Sequence, residues 1–256
     1  MKKIGIIGCG WLGLHLAKYL SPNYKIFTTT TSDKKNDELT EMGFQSIAIQ
    51  FCDDEILQEN RSWEFLNDLD IIIITVPFSK RTNIKSLEHR FENISLFIKG
   101  FKKQIFLMSS IGIYPQVEIE MNEENVNTEL LEPNIYFVEE LMKKNFAQLN
   151  ILRLGGLMGG TRIFSNYHVT NTNQIVNHVH FLDICIVIEM MINQNSERKT
   201  YNVVAPLHPT KQEIINCQKG IDKDFLTTDS GRKINSDLLI IELNYQFKYP
   251  DPILFD

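Results

Sequence analysis

Apolar and polar positions along this chain fall into blocks with two different periods. Residues 4–7 form an unbroken apolar run after Lys2 and Lys3, and Leu12, Leu14, Leu16, Ala17 and Leu20 follow at spacings that fit a helix. Ser21-Pro22-Asn23 interrupts, and residues 24–31 predict a second strand. Residues 36–42 predict a short helix closed by Gly43, and residues 46–51 a third strand. Asp53-Asp54 opens a further helical stretch toward Phe65. Residues 69–76, LDIIIITV, are β-branched and apolar throughout, the pattern of a strand buried on both faces. Residues 85–100 carry Leu87, Phe91, Ile94, Phe97 and Ile98 near helical period, with Gly100 at the end.

The second half continues the pattern. A fifth strand is expected over residues 104–108, and it runs into Ser109-Ser110-Ile111-Gly112-Ile113-Tyr114-Pro115. Residues 118–132 read as an acidic exposed loop or part of a lid. Then come a helix over 136–149, a sixth strand over 150–154 and a glycine-rich turn over 155–160. Asp183 is placed to cap a helix rich in Ile, Val and Met that reaches about Asn193. Residues 199–205 suggest another strand, and Thr210 with Glu213 forms a capping-box pattern. Repeated strand–helix alternation with right-handed crossovers predicts an α/β fold: a Rossmann, doubly wound parallel sheet with helices on both faces. Residues 1–160 would form its nucleotide-binding core. Residues 161–256 would complete the sheet and form the substrate side within the same structural unit.

The chemistry enters at the first turn. Gly8, Gly10 and Gly13 have G-x-G-x-x-G spacing between an apolar strand and a helix. Gly8 would permit the turn, Gly10 would let a pyrophosphate approach the backbone, and Gly13 would let helix and strand pack closely. The diphosphate would rest on the helix N-terminus at Trp11 and Leu12, where N–H groups and the dipole favour negative charge. An acidic residue at the tip of the second strand would hold the adenosine ribose and select NAD. Here the strand runs out in Thr28-Thr29-Thr30-Thr31-Ser32, followed by Asp33-Lys34-Lys35. Thr31, Ser32 and Lys34 favour the 2′-phosphate of NADP, and Asp33 leaves NAD open. Thr75, Val76 and Pro77 end the buried strand on the expected cofactor side.

Composition narrows the class. A chain of 256 residues suits one α/β domain with a small appendage, and a net charge of −6 argues against a broad nucleic-acid surface. Four cysteines (Cys9, Cys52, Cys185 and Cys217) lack paired metal spacing, and no metal site is expected. The chain enters its first strand at once, leaving no room for a signal peptide, and no apolar run approaches membrane-spanning length. The expectation is a cytoplasmic protein acting on a small molecule, with no nucleic-acid or membrane partner. His180, in an apolar setting, reads as a buried core histidine. Arg162, after Gly159-Gly160, reads equally as an anion contact or a surface ion pair.

At Ser109 to Tyr114 the chain resembles the extended short-chain dehydrogenase/reductases, the NAD-dependent epimerase/dehydratase type, which carry S-S-x-x-V-Y-G there. Ile151-Leu152-Arg153-Leu154-Gly155-Gly156, Asn177, Val179-His180, Asp183 and Tyr201-Asn202-Val203-Val204 follow in the family's order. Gly-Cys-Gly-Trp-Leu-Gly and the closing segment, residues 233–251, resemble one atypical branch, the YeeZ-like proteins. The resemblance covers nearly the whole chain. It implies a hydroxyl that orients substrate, a Tyr that passes the proton and a Lys that lowers the Tyr pKa, since a phenol near pKa 10 needs a cation to act near neutrality. Ser110 matches the hydroxyl, with Ser109 beside it near the cofactor. Tyr136 is the matching phenol, but Glu140 stands where the Lys belongs. A second register sets Glu140 on an acidic position of that helix, Tyr136 on the Lys position and Glu132 on the Tyr position. Neither register gives a Tyr–Lys pair, and Lys143 and Lys144 lie a turn too far along. Gln50 falls where relatives carry an Asp that contacts the adenine amino group. The resemblance also implies a homodimer face on the helix of residues 85–100. Two functional classes therefore stand: an NAD(P)-dependent oxidoreductase or epimerase-like enzyme, and a non-catalytic dinucleotide sensor that lost the Tyr–Lys pair.

Overall fold

The computed structural model describes residues 1–56, 62–221 and 230–255. The chain alternates strands and helices from its first residues: β1 (Lys3–Ile7), α1 (Trp11–Leu20), β2 (Lys25–Thr30), α2 (Asp33–Glu41), β3 (Gln45–Ala48), β4 (Ile71–Ile74), α3 (Ile84–Phe97) and β5 (Gln104–Ser110). There follow β6 (Glu120–Met121), α4 (Pro133–Asn145), β7 (Asn150–Leu154), β8 (Gly156–Met158), β9 (His178–His180), α5 (Phe181–Asn193), β10 (Thr200–Val203), α6 (Lys211–Gln218), β11 (Lys233–Ile234) and α7 (Asp237–Leu243). The central sheet has seven strands in the order β10-β7-β5-β4-β1-β2-β3, the doubly wound parallel architecture expected from the sequence. Ile4 stands beside both Ile26 and Ile71, and Ile74 beside Leu107, all in parallel register.

The chain condenses into two compact units. One comprises Met1–Ile113, Glu132–Leu152 and Met191–Lys199; the other comprises Tyr114–Leu131, Arg153–Met190 and Thr200–Asp256. In the first unit β4 is buried along its whole length, as its four successive isoleucines require. Phe27, Ile72, Ile74 and Leu107 meet Leu87, Phe91 and Ile94 of α3 and Val138 and Met142 of α4 in one core. Each such side chain taken out of water contributes roughly 1.5–3 kcal/mol. Trp63 stacks on Phe97 and leaves Gly5 no room for a side chain, since a Cβ there would lie 2.7 Å from the indole. Strand order reverses between β1 and β4, which sets a topological switch point beside the glycine turn.

In the second unit β6 pairs with β11 and β8 with β9. The acidic segment of residues 118–132 is thus not wholly loop. It contributes β6 and a 3-10 turn, Thr128–Leu130, and Glu123 accepts the Asn202 N–H at 2.5 Å. Likewise the glycine-rich stretch after β7 supplies β8.

Asp183 does not act as the cap of α5. Its carboxylate accepts the Tyr245 hydroxyl and the N–H groups of Lys248 (2.7 Å) and Tyr249 (3.1 Å), fastening the C-terminal segment. The capping box at Thr210 and Glu213 is present as expected, with both reciprocal bonds made. The helical stretch expected from Asp53 toward Phe65 lies partly outside the described residues; its described end carries only a 3-10 turn, Leu66–Asp68.

Candidate functional site

The glycine turn joins β1 to α1 in the first unit. Gly8 has φ +90°, and a Cβ there would sit 2.9 Å from Val76 Cγ2, so both conformation and space demand glycine. Two threonines hold this residue, Thr29 on β2 and Thr75 just past the end of β4. The Gly8 N–H donates to Thr29 Oγ1 at 3.0 Å, and Thr75 Oγ1 donates to the Gly8 carbonyl at 2.6 Å. At Gly13 a Cβ would lie 2.9 Å from the Gly8 oxygen and 3.0 Å from Thr75 Oγ1, the close helix–strand approach that the third glycine serves.

Gly10 is different. It is exposed and extended, and a Cβ there would meet nothing nearer than the Gly8 oxygen at 3.9 Å. The fold itself has no need of glycine at this position. The first intrahelical bond of α1 runs from Leu14 N–H to the Gly10 carbonyl, so the amides of Trp11, Leu12 and Gly13 lie ahead of it. No side chain caps this N-terminus, and no acid occupies its first turn. These features together fit a diphosphate approaching the backbone at Gly10.

On the β2 side, Thr31, Ser32 and Lys34 are exposed. Ser32 serves as N-cap of α2, accepting the Lys35 N–H at 3.3 Å, and α2 therefore begins at Asp33, three residues before the helix expected from the sequence. Lys35 pairs with Glu38 at 3.0 Å and holds that carboxyl below its ordinary pKa, which leaves Lys34 as the outward cation of the loop. Strand β3 ends at Ala48, so Gln50 lies beyond it and is exposed.

The loops that follow β3 and β4 are gripped by one face of α3. Arg90 donates from Nε to Asp53 Oδ1 at 2.8 Å, from Nη2 to Asp53 Oδ2 at 2.5 Å and from Nη1 to the Pro77 carbonyl at 2.8 Å. Asn93 adds bonds to the Cys52 and Glu55 carbonyls at 3.1 and 2.9 Å. Thr75, Val76 and Pro77 are thus fixed at the edge where the glycine turn lies.

Strand β5 runs two residues further than expected and includes both serines. Ser109 is buried and donates to Glu139 Oε1 at 2.6 Å. Ser110 Oγ accepts the Gly112 N–H at 2.9 Å and remains partly exposed. Helix α4 starts at Pro133 behind a Glu132 N-cap, and the Glu132 N–H donates to the Ile113 carbonyl at 2.7 Å. A Cβ on Gly112 would lie 3.1 Å from Ser110 Oγ and 3.2 Å from Ile135 Cδ1. The first turn of α4, which carries the half-buried Tyr136, thereby packs on the Ser110 loop. Among the described residues the Ser110 and Tyr136 hydroxyls make no bond with each other.

The acid on the inner face of α4 is Glu139, fully buried, whereas Glu140 is exposed and pairs with Lys143 at 2.9 Å. The register that set Glu140 on the acidic position thus places an exposed residue there, with Tyr136 and Glu132 on the Lys and Tyr positions. Glu139 was legible in the sequence, because Ile135, Val138, Glu139 and Met142 form an i, i+3, i+4, i+7 stripe with one acid among apolar residues. The roles of Thr29 and Arg90 carry no such local mark.

Other expectations can be placed as well. His180 is buried, with its ring stacked 3.8 Å from that of Tyr249. Arg162 closes a turn with Gly159 through two backbone bonds of 3.1 and 3.2 Å. Burial pushes the Cys9 thiol up to about 11, against a smaller opposing effect of Lys35, so it packs as a small apolar group. Among the described residues, no group of His, Cys, Asp and Glu could hold a metal ion, and no helix is long and apolar enough to cross a membrane.

No protein-family profile matches the chain. Protein YeeZ of Escherichia coli K12 is 24% identical over 272 aligned positions that take in 99% of this chain and 98% of that one. Among solved structures, the ADP-L-glycero-D-manno-heptose-6-epimerase of Helicobacter pylori superposes with TM-score 0.71 at 17% identity, covering 98% of this chain and 94% of that one. Yeast methylglyoxal/isovaleraldehyde reductase Gre2, complexed with NADPH, gives 0.75 at 13% identity, with 97% and 94% covered. The dTDP-glucose 4,6-dehydratase of Bacillus anthracis, in complex with NAD, gives 0.72 at 13%, with 99% and 94% covered. The chain is thus similar to YeeZ over its whole length, and it shares its fold with these epimerases, dehydratases and reductases.

Proposed function

We propose that this protein binds a nicotinamide dinucleotide across the ends of β1, β2 and β4 and uses it as an oxidoreductase or epimerase-like enzyme on a small substrate. One observation carries the binding: Gly8 and Gly13 are required by the fold, while Gly10 is glycine where only an external group benefits. Trp11, Leu12 and Gly13 would offer amides to the diphosphate, and Thr75 to Pro77 would border the nicotinamide half. The bound cofactor supplies or accepts a hydride. Ser110 would orient the substrate oxygen, and Tyr136, or a water beside it, would move the proton. NADP is the preferred form, because no acid stands at the tip of β2 and Lys34 faces outward.

A second reading has its own support. Glu139 rather than Glu140 faces β5, so neither family register places a lysine beside a tyrosine on α4. A dinucleotide sensor needs only the crevice, and this protein would then bind cofactor without turning over.

Titration of NADH and NADPH, followed by cofactor fluorescence, tests the common part. Saturable binding with tighter NADPH is expected, and no binding of either form would end both readings. A carbonyl-reduction screen with the Tyr136→Phe variant as control then separates them. Turnover lost in that variant supports the enzyme, and cofactor binding with no turnover supports the sensor.

A further inference from the structure

Helix α2 is held to the sheet by much less than its neighbours in the first unit. Of its nine residues, all described, only Leu39 is buried, whereas α1 buries five of its ten and α3 six of its fourteen. The half-buried residues beside Leu39 are Lys35, Asn36 and Glu38, all polar. Lys35 and Glu38 pair with each other at 3.0 Å, within the helix. The strand that α2 leads into, β3, is an edge of the sheet, and none of its four residues is fully buried.

What lies under α2 is poorly matched to it. Thr28 of β2 and Ser46 of β3 are neighbours in parallel register. Side chains alternate along a strand, so these two point away from the face where Phe27 and Ile47 join the α3 core. The right-handed β2–α2–β3 crossover lays α2 on that other face, and no α2 residue belongs to the α3 core. Thr28 Oγ1, Ser46 Oγ and Asn36 Oδ1 are buried without a hydrogen-bond partner among the described residues. Each such atom carries a desolvation cost that water would relieve on opening. At the far end of the helix, a cavity of about 530 Å³ opens between Lys18 and Ser21 of the α1 end, Tyr24 before β2, and Met42, Gly43 and Phe44 after α2. A Cβ at Gly43 would meet nothing within 4 Å, so the last turn of α2 ends over open space.

We infer that α2 is a flap: in the free protein it opens from β2 and β3 far more readily than α1 does, and an anionic group held at its N-terminal end docks it. Elements with few buried apolar contacts open locally at a small fraction of the global free energy. Thr31, Ser32 and Lys34 stand exposed at that end. A dinucleotide spanning the glycine turn and these residues touches both the fixed sheet and α2, and so favours the docked state over the open one. The anion is the 2′-phosphate of NADP, and this closing half of the inference rests on the dinucleotide reading. The cofactor form is then selected by the docking of α2 as well as by contact with Lys34.

Hydrogen–deuterium exchange of the full chain, read by peptide mass, tests both halves. In the free protein, protection over α2 should fall at least about tenfold below that over α1. The Thr28→Val/Ser46→Ala double variant removes two of the unpartnered atoms and should raise α2 protection at least about threefold, with α1 unchanged. Saturating NADPH should raise α2 protection about tenfold in the wild type, and NADH by less. Equal protection of α1 and α2 in the free protein overturns the flap, whatever the cofactor does. So does a double variant in which α2 exchanges as in the wild type, or in which α1 and α2 shift together. Saturable NADPH binding by fluorescence with α2 exchange unchanged overturns the closing and leaves the dinucleotide reading standing. If NADPH does not bind at all, the dinucleotide reading fails and the closing with it, while the comparison of α2 with α1 still decides the opening.

Discussion

The Ser109 hydroxyl donates to the Glu139 carboxylate at 2.6 Å, joining the end of β5 to the inner face of α4 where both residues are buried. This bond sets the rotation of α4 about its axis, and with it the direction of Tyr136, which stands three residues earlier on the helix. Removing the donor takes one hydrogen bond from a buried carboxylate. Ser109→Ala should therefore lower stability by about 1–3 kcal/mol in urea unfolding, and Glu139→Gln, whose amide oxygen still accepts, should cost less. Equal midpoints for wild type and Ser109→Ala would show that the bond carries no such weight.

The glycines separate folding from binding. Gly13→Ala brings a Cβ to within 2.9 Å of the Gly8 oxygen and should cost about 1–3 kcal/mol of stability. Gly10→Ala has open space and should stay within about 0.5 kcal/mol of wild type, yet bind dinucleotide at least about tenfold more weakly, a difference of ~1.4 kcal/mol. Paired unfolding and cofactor titrations check this, and unchanged affinity in Gly10→Ala would remove the main support for the crevice.

Arg90 ties Asp53 after β3 to Pro77 after β4. In the exchanged pair Asp53→Arg/Arg90→Asp an ion pair can re-form, but the bond to the Pro77 carbonyl is lost. Stability should recover relative to Arg90→Asp alone, while dinucleotide affinity stays roughly tenfold below wild type, again ~1.4 kcal/mol. Affinity that recovers in step with melting temperature would mean that the loops need no bridge.

His178 gives a pH dependence. Burial, with a smaller push from Lys211, lowers its pKa from 6.5 to about 4, and its ring packs edge-on to Phe164 at 4.9 Å. Below pH 6.5 the unfolded chain takes up a proton that the folded chain refuses, so stability is full above that value and falls as pH drops toward 4. The contribution is about 2 kcal/mol once discounted for the partial exposure of the ring. His178→Gln should show a smaller loss of melting temperature between pH 7 and pH 5 than the wild type. Parallel curves for the two proteins would assign the acid sensitivity elsewhere.

Several features were legible in the chain because their causes are local. Four successive isoleucines, β-branched and apolar, favour a strand buried on both faces, and the Thr210–Glu213 capping box closes within one helical turn. The spacing of Gly8, Gly10 and Gly13 marks a strand–turn–helix from the backbone alone. Boundaries were less visible where a cap or a neighbouring strand decided them. Ser32 drew the start of α2 forward to Asp33, and β3 stopped at Ala48, short of Gln50.

By itself, then, the sequence determined the order of the elements, the parallel sheet and the position of the glycine turn, since periodicity and backbone freedom are properties of short segments. Tertiary structure alone decided which partners meet. It set Ser109 against Glu139, sent Glu140 outward to Lys143, held Gly8 between Thr29 and Thr75, and gave Asp183 to the C-terminal segment instead of a helix cap. Each of these contacts joins residues far apart along the chain, except the short-range Glu140–Lys143 pair, whose outward direction still depends on which face of α4 the core claims. Hydrogen bonds and ion pairs act over a few ångströms, and only packing brings such distant groups that close.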